Sequence, residues 1–194
     1  MDTVPHPVSP EQFPPGRAGA LGLVARQRPD LGVTGERPSR WITRERPKID
    51  RIACPWLVLR FIDPAAQFFY APTGQVFAEA SRLNAVPYDI PGAPITHEGE
   101  LCSFDALLKA FDLHDPALLH LALIIRGADT ARLSLAPQCP GLLAISLGFS
   151  VLHGDDQAML QAALPMYDAL YAWCRSAQDE THGWDPDLMD GIGR

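Results

Sequence analysis

The sequence has no C-x-x-C pair. Its four cysteines stand apart at positions 54, 102, 139 and 174, which excludes a zinc ribbon or finger built on paired thiolates. G-x-x-x-x-G-K-[ST], G-x-G-x-x-G and G-x-S-x-G are also missing. A phosphate-cradling loop, a dinucleotide fingerprint and a nucleophile elbow are therefore excluded, and no nucleotide cofactor is expected. Basic residues are few: 16 Lys and Arg face 23 Asp and Glu, for a net charge of -7. That balance argues against a duplex-binding surface, so nucleic acid is not an expected partner of this chain. The N-terminus lacks the basic and apolar regions of a secretion signal, and the cysteines read as reduced thiols of a cytoplasmic protein. Long apolar runs are absent too. Residues 133–154 carry no formal charge, but Pro137, Gln138, Pro140, Ser146 and His153 interrupt them. The clean portion, 141–152, falls short of the about 20 residues a bilayer crossing needs. It reads as a buried helix, with no membrane insertion.

An apolar share of 47% over 194 residues suits one globular core. Seven of the 19 prolines fall in residues 1–40, which read as a Pro-rich tail from which only the short apolar piece 21–25 is a candidate to dock on the body. The domain is expected over 41–175 and a polar tail over 176–194. Strands are expected at 41–43, 68–70 and 86–90, and helices at 51–62 and 73–83. Asp50 is the expected N-cap of the first helix, and Pro55 should distort its start. Ser103 should cap a helix to Phe111. Asp115-Pro116 should open one that ends at Gly127. Pro140 opens the apolar helix, whose Ala144 and Gly148 allow a close neighbour. A last helix to about Arg175 carries Leu160, Leu164, Tyr167, Tyr171 and Cys174 on one face and should bend at Pro165. The fold class is α+β: a single helix-rich domain of five or six helices with a small β-sheet.

Chemistry concentrates in two segments. Asp50 and Cys54 lie four apart and share a helix face, where a carboxylate and a thiol can converge or simply cap and pack. Arg46, Lys48 and Arg51 belong to a basic run broken by acids, which is either a solvated face or a receiver for a tetrahedral oxyanion. In residues 97–105, His97, Cys102 and Asp105 cluster around the Gly99 turn. The dipole of the following helix should favour the Cys102 thiolate. His97, Asp105 and Asp129 are candidate ligands of a divalent metal, with iron or manganese suited better than zinc to a His/carboxylate set. Asp168 sits beside an apolar stripe and needs a partner such as Arg51 or Arg126.

Residues 41–57 read Trp-Ile-Thr-Arg-Glu-Arg-Pro-Lys-Ile-Asp-Arg-Ile-Ala-Cys-Pro-Trp-Leu. This run resembles the opening motif of the C-terminal domain of ChrB-type chromate-resistance proteins. Similar stretches follow at 97–105, at 125–130, at 141–146 and at 167–173, so the resemblance spans roughly 41–175. It implies a role in chromate resistance. Fuller members carry an added N-terminal half and are linked to chromate-responsive gene control. For this chain it implies a domain that senses, binds or chemically handles a small oxyanion.

Three kinds of function fit. A binding domain would receive the oxyanion at Arg46, Lys48 and Arg51, with a metal at His97, Asp105 and Asp129 and with Asp50 and Asp168 in support. An enzyme would use Cys54 or Cys102 as a reducing thiol, or the metal for redox protection. An interaction module would leave the His97 cluster inert. Whether the chain is an enzyme is left open by these residues. A homodimer is a further candidate assembly. The Asp50 and His97 segments are expected to meet at one site.

Overall fold

The computed structural model describes residues 27–180. The expectations for residues 1–26 and 181–194, docking of 21–25 included, lie outside the described residues. Three strands, β1 (Arg40–Arg44), β2 (Gln67–Ala71) and β3 (Val86–Pro87), form a sheet in the order β2-β1-β3. Both pairings are parallel, with Trp41 opposite Phe68 and Val86. Parallel neighbours need crossovers, supplied by α1 (Asp50–Leu57) between β1 and β2 and α2 (Val76–Leu83) between β2 and β3. Four helices follow: α3 (Ser103–Phe111), α4 (Pro116–Asp129), α5 (Cys139–Leu152) and α6 (Asp156–Ser176). The α+β class therefore holds, with six α-helices among the described residues.

The period of two along β1 divides the interior. Trp41 joins Phe68, Val86 and the helices α1, α3, α4 and α6 in the larger core. Ile42, next in sequence, faces the smaller core with Ala71, Val76 and Ala80 of α2. The chain leaves β1 toward β2 and then crosses to β3 on the other side of β1. That reversal opens a crevice beyond the carboxyl ends of β1 and β3, where open parallel sheets place their sites. Residues 27–40 reach the body ahead of β1: Leu31 and Val33 are buried in the larger core, and Ser39 donates through its amide and hydroxyl to Asp63.

Several elements differ from expectation for local reasons. The third strand stops at Pro87: Tyr88 still donates its amide to the Ile42 carbonyl at 3.0 Å, and the backbone then turns away at Asp89 with φ 49°. The N-cap of α1 is Ile49, at φ 42°, so Asp50 becomes the first helical residue. Pro55 lies inside α1 and cannot donate to the Arg51 carbonyl. Tyr88 Oη donates there instead, at 3.0 Å. The helix then widens into a π turn at Val58–Ile62. Pro165 lies inside α6, which continues to Ser176, and the whole expected stripe of α6 is buried.

Gly127 does not end α4, which runs on to Asp129. A Cβ at Gly127 would collide with Cys139 Sγ and come within 3.1 Å of the Arg132 carbonyl, so the glycine admits the α4–α5 connection. The apolar α5 is also less enclosed than expected, with only Cys139, Leu142 and Ser146 buried along its length. In a helix interior alanine is favoured over glycine by about 1 kcal/mol, yet Gly127→Ala should destabilise by about 1–3 kcal/mol through overpacking. The urea midpoint of the variant checks the sign; a rise would mean the connection yields freely.

Candidate metal centre

The loop between β1 and α1 is held from three sides. The Arg46 guanidinium donates to the carbonyls of Ser150, His153 and Gly154 at 2.5, 2.9 and 3.3 Å, and its amide donates to Asp156 at 2.9 Å. Tyr167 Oη donates to the Ile49 carbonyl at 2.8 Å. A β-branched residue at positive φ is strained, and Ile49 is kept there by this bond and by its burial. The outcome is an Asp50 side chain aimed into the crevice from the start of α1. Asp89 enters from the end of β3, His97 from the loop ahead of α3, and Asp129 from the last position of α4.

These four groups meet. His97 Nε2 stands 3.3 Å from Asp50 Oδ2, 3.3 Å from Asp89 Oδ1 and 3.2 Å from Asp129 Oδ2. The ligand atoms of Asp50, Asp89 and His97 lie within 4.8 Å of one another, with Asp129 beside them. Adjacent ligands of an octahedral ion at about 2.1 Å stand roughly 3 Å apart, so the separations around His97 suit a shared cation. Asp50 and Asp89 are buried, while the His97 side chain is 40% exposed. The centre thus opens to solvent on the imidazole side.

A further ring of groups fixes the carboxylates. Ser103, fully buried at the first turn of α3, donates its amide to Asp50 Oδ2 at 3.1 Å and its hydroxyl to Asp89 Oδ1 at 2.8 Å. Arg44 and Arg51 reach Asp89 Oδ2 at 2.9 and 3.3 Å. Such outer partners orient ligands and tune their basicity. The charges also perturb one another. The hydrogen bond to Asp50, aided by Asp129 and Asp89, pushes the His97 imidazole up to about 9. Burial, then Asp50 and Asp89, pushes the Asp129 carboxyl up to about 8. Burial and Asp50 also raise Asp89, against Ser103 and Arg44. Asp89 and Asp129 are thus raised by burial and by the acids crowded with them around one imidazole.

The remaining expected residues fall elsewhere. Asp105 does not face His97. Its carboxylate takes both Arg126 nitrogens at 3.1 Å and the Cys102 amide at 3.0 Å, because Cys102, not Ser103, is the N-cap of α3 and Asp105 closes its capping box. Cys54 and Cys102 are both buried. Burial and the nearby acids raise both thiols, so desolvation overrides the helix dipole that was expected to favour a Cys102 thiolate. Arg46 and Arg51 are engaged as described, and Lys48 has no ion pair among the described residues. Asp168 pairs with neither Arg51 nor Arg126: it accepts Arg60 at 2.8 Å on each oxygen and Trp56 Nε1 at 2.8 Å. Two members of the site escaped sequence reasoning. Asp89 sat unremarked at the end of a short strand, where its only signal was an acid just before Pro91-Gly92. Ser103 was read as a cap.

The profile described as "ChrB, C-terminal domain" matches residues 41–174. Among curated proteins, Protein ChrB of Cupriavidus metallidurans is 32% identical over 154 residues, which is 79% of this chain and 45% of that protein. The chain thus spans less than half the length of the curated relative. No solved structure matches it. The crevice with Asp50, Asp89, His97 and Asp129 lies within the matched span, and by that match the chain belongs to the ChrB C-terminal domain family.

Proposed function

We propose that this chain is a divalent-metal-binding domain serving chromate resistance, with Asp50, Asp89 and His97 as ligands and Asp129 as a neighbouring fourth. The carrying observation is the convergence of three carboxylates on one imidazole nitrogen. Three oxygen donors and one nitrogen form a hard set, which favours manganese or iron(II) over zinc held by thiolates. The exposed His97 side leaves coordination positions for a further ligand. A chromate oxygen is the candidate there, on the strength of family membership. The metal then takes over the oxyanion role, since Arg46 and Arg51 are committed to the fold. The buried thiols do not favour direct reduction by Cys54 or Cys102, because the thiolate is the nucleophilic and readily oxidised form. A sensor and a metal-dependent redox enzyme share this geometry, and the fate of added chromate separates them.

The full chain, purified without a His-tag, should take up one manganese or iron(II) ion by elemental analysis and calorimetry. His97→Ala, Asp50→Asn and Asp89→Asn should each abolish stoichiometric uptake, and Ser103→Ala should weaken it by roughly 10–100-fold. Asp105→Asn should keep the ion while losing about 1–2 kcal/mol of stability with its cap. Absence of uptake together with unchanged chromate tolerance in cells carrying His97→Ala would refute the metal reading.

Acidity supplies a separate check. In the metal-free protein, His97 and Asp129, at about 9 and 8, hold protons at neutral pH. An incoming cation must displace them. Affinity should therefore climb from about pH 6 to pH 8, and each ion bound should release protons, seen as a dependence of the calorimetric heat on the buffer's ionisation enthalpy. Binding with the same affinity across that range would contradict the assigned ligands.

A further inference from the structure

One face of α5 packs on nothing among the described residues. Ile145 is 49% exposed, Leu147 45%, Val151 86% and Leu152 77%. Gly141 and Ala144 are exposed between them, and Gly148 is half-buried. At 100° per residue these seven fall on one side of the helix and Leu142 and Ser146 on the other. None of the seven is polar. A glycine inside a helix costs about 1 kcal/mol relative to alanine, and a Cβ at Gly141 or Gly148 would meet no atom within 4 Å. Unlike Gly127, these two glycines have no internal reason to lack a side chain.

We propose that this face binds α5 of a second copy of the chain, antiparallel and about a two-fold axis. Three features select that occupant. Residues 133–154 have no formal charge in a chain of net charge -7, so two copies can meet here without the like-charge repulsion of their remaining surfaces. Antiparallel α5 helices also oppose their dipoles favourably. The third feature is shape. In a two-fold antiparallel pair centred between Ser146 and Leu147, Ile145 lies over the partner's Gly148 and Leu152 over the partner's Gly141. These two large side chains then meet the space a glycine leaves. A parallel pair would set glycine on glycine and leucine on leucine. The four large side chains expose roughly 500 Å² per copy, against about 800 Å² per partner in a standard interface. That area lies at the small end of specific interfaces, where association depends on concentration. Isologous pairing of this kind closes on itself and leaves no apolar edge for further growth.

Sedimentation equilibrium of the full chain should give twice the 21.2 kDa chain mass as concentration rises to about 100 µM. Gly148→Leu should restore the single-chain mass while keeping the helical dichroism and melting temperature, since its side chain enters open space in the separate copy. Gly141→Cys with Leu152→Cys in one chain should cross-link between copies under mild oxidation, and either change alone should not. The four natural cysteines are buried and give no background. A single-chain mass at 100 µM would overturn the proposal, whether the face then proves to bind lipid vesicles, another protein or residues 1–26. So would dimerisation of Gly148→Leu at wild-type strength, or cross-linking of either single-cysteine variant.

Discussion

Three acids cannot be packed together without something to hold them. Asp50, Asp89 and Asp129 surround one imidazole nitrogen, and much of the remaining architecture answers their repulsion. The amide at the start of α3 reaches Asp50, and the Ser103 hydroxyl and two arginines reach Asp89. Protons on His97 and Asp129 absorb charge that is left. These supports come from α3, β1 and α1, so the crevice depends on the relative placement of β1, β3, α1, α3 and α4. A small parallel sheet suits that task, because it delivers the ends of neighbouring strands to one edge and fills the space behind them with helices.

The fold was largely legible because its signals are local. Short runs of aromatic and β-branched residues marked β1 and β2, Asp115-Pro116 marked α4, and the i, i+3, i+4 stripe marked α6. What failed was local signal overruled by distant contact. Gly127 looks like a stop because glycines so often are, but it is bare to admit Cys139. Asp50 and Ser103 look like caps, yet their polar groups serve residues 14 to 53 positions away. The strand at 86–90 had the right composition, but its backbone turns away from β1 at Asp89.

The site was legible in part for the same reason. His97 and Asp129 could be proposed as ligands from residue type, and the meeting of the Asp50 and His97 segments from the family resemblance that runs through both. Asp105 was the natural third member by spacing, but spacing on α3 also makes it the capping-box acid, and Arg126 holds it in that work. Asp89 has no motif of its own. Its recruitment follows from strand order, since only the β2-β1-β3 arrangement sets the end of β3 beside the start of α1. Burial likewise decides the thiols: a dipole worth a few tenths to about 1 kcal/mol at a surface does not offset desolvation at Cys102.

Arg46 ties the loop ahead of Asp50 to the last carbonyls of α5 and to the first turn of α6. A single guanidinium thus makes the apolar helix and the acidic crevice parts of one lever, although neither touches the other through its own functional groups. If a change at the end of α5 alters how firmly Asp50 is held, then a cation at Asp50 must alter the freedom of α5 by the same free energy, because linkage between two equilibria is reciprocal. Under the proposed metal reading, Arg46 is therefore a mechanical route by which occupancy of the crevice and the state of the outer face would inform each other.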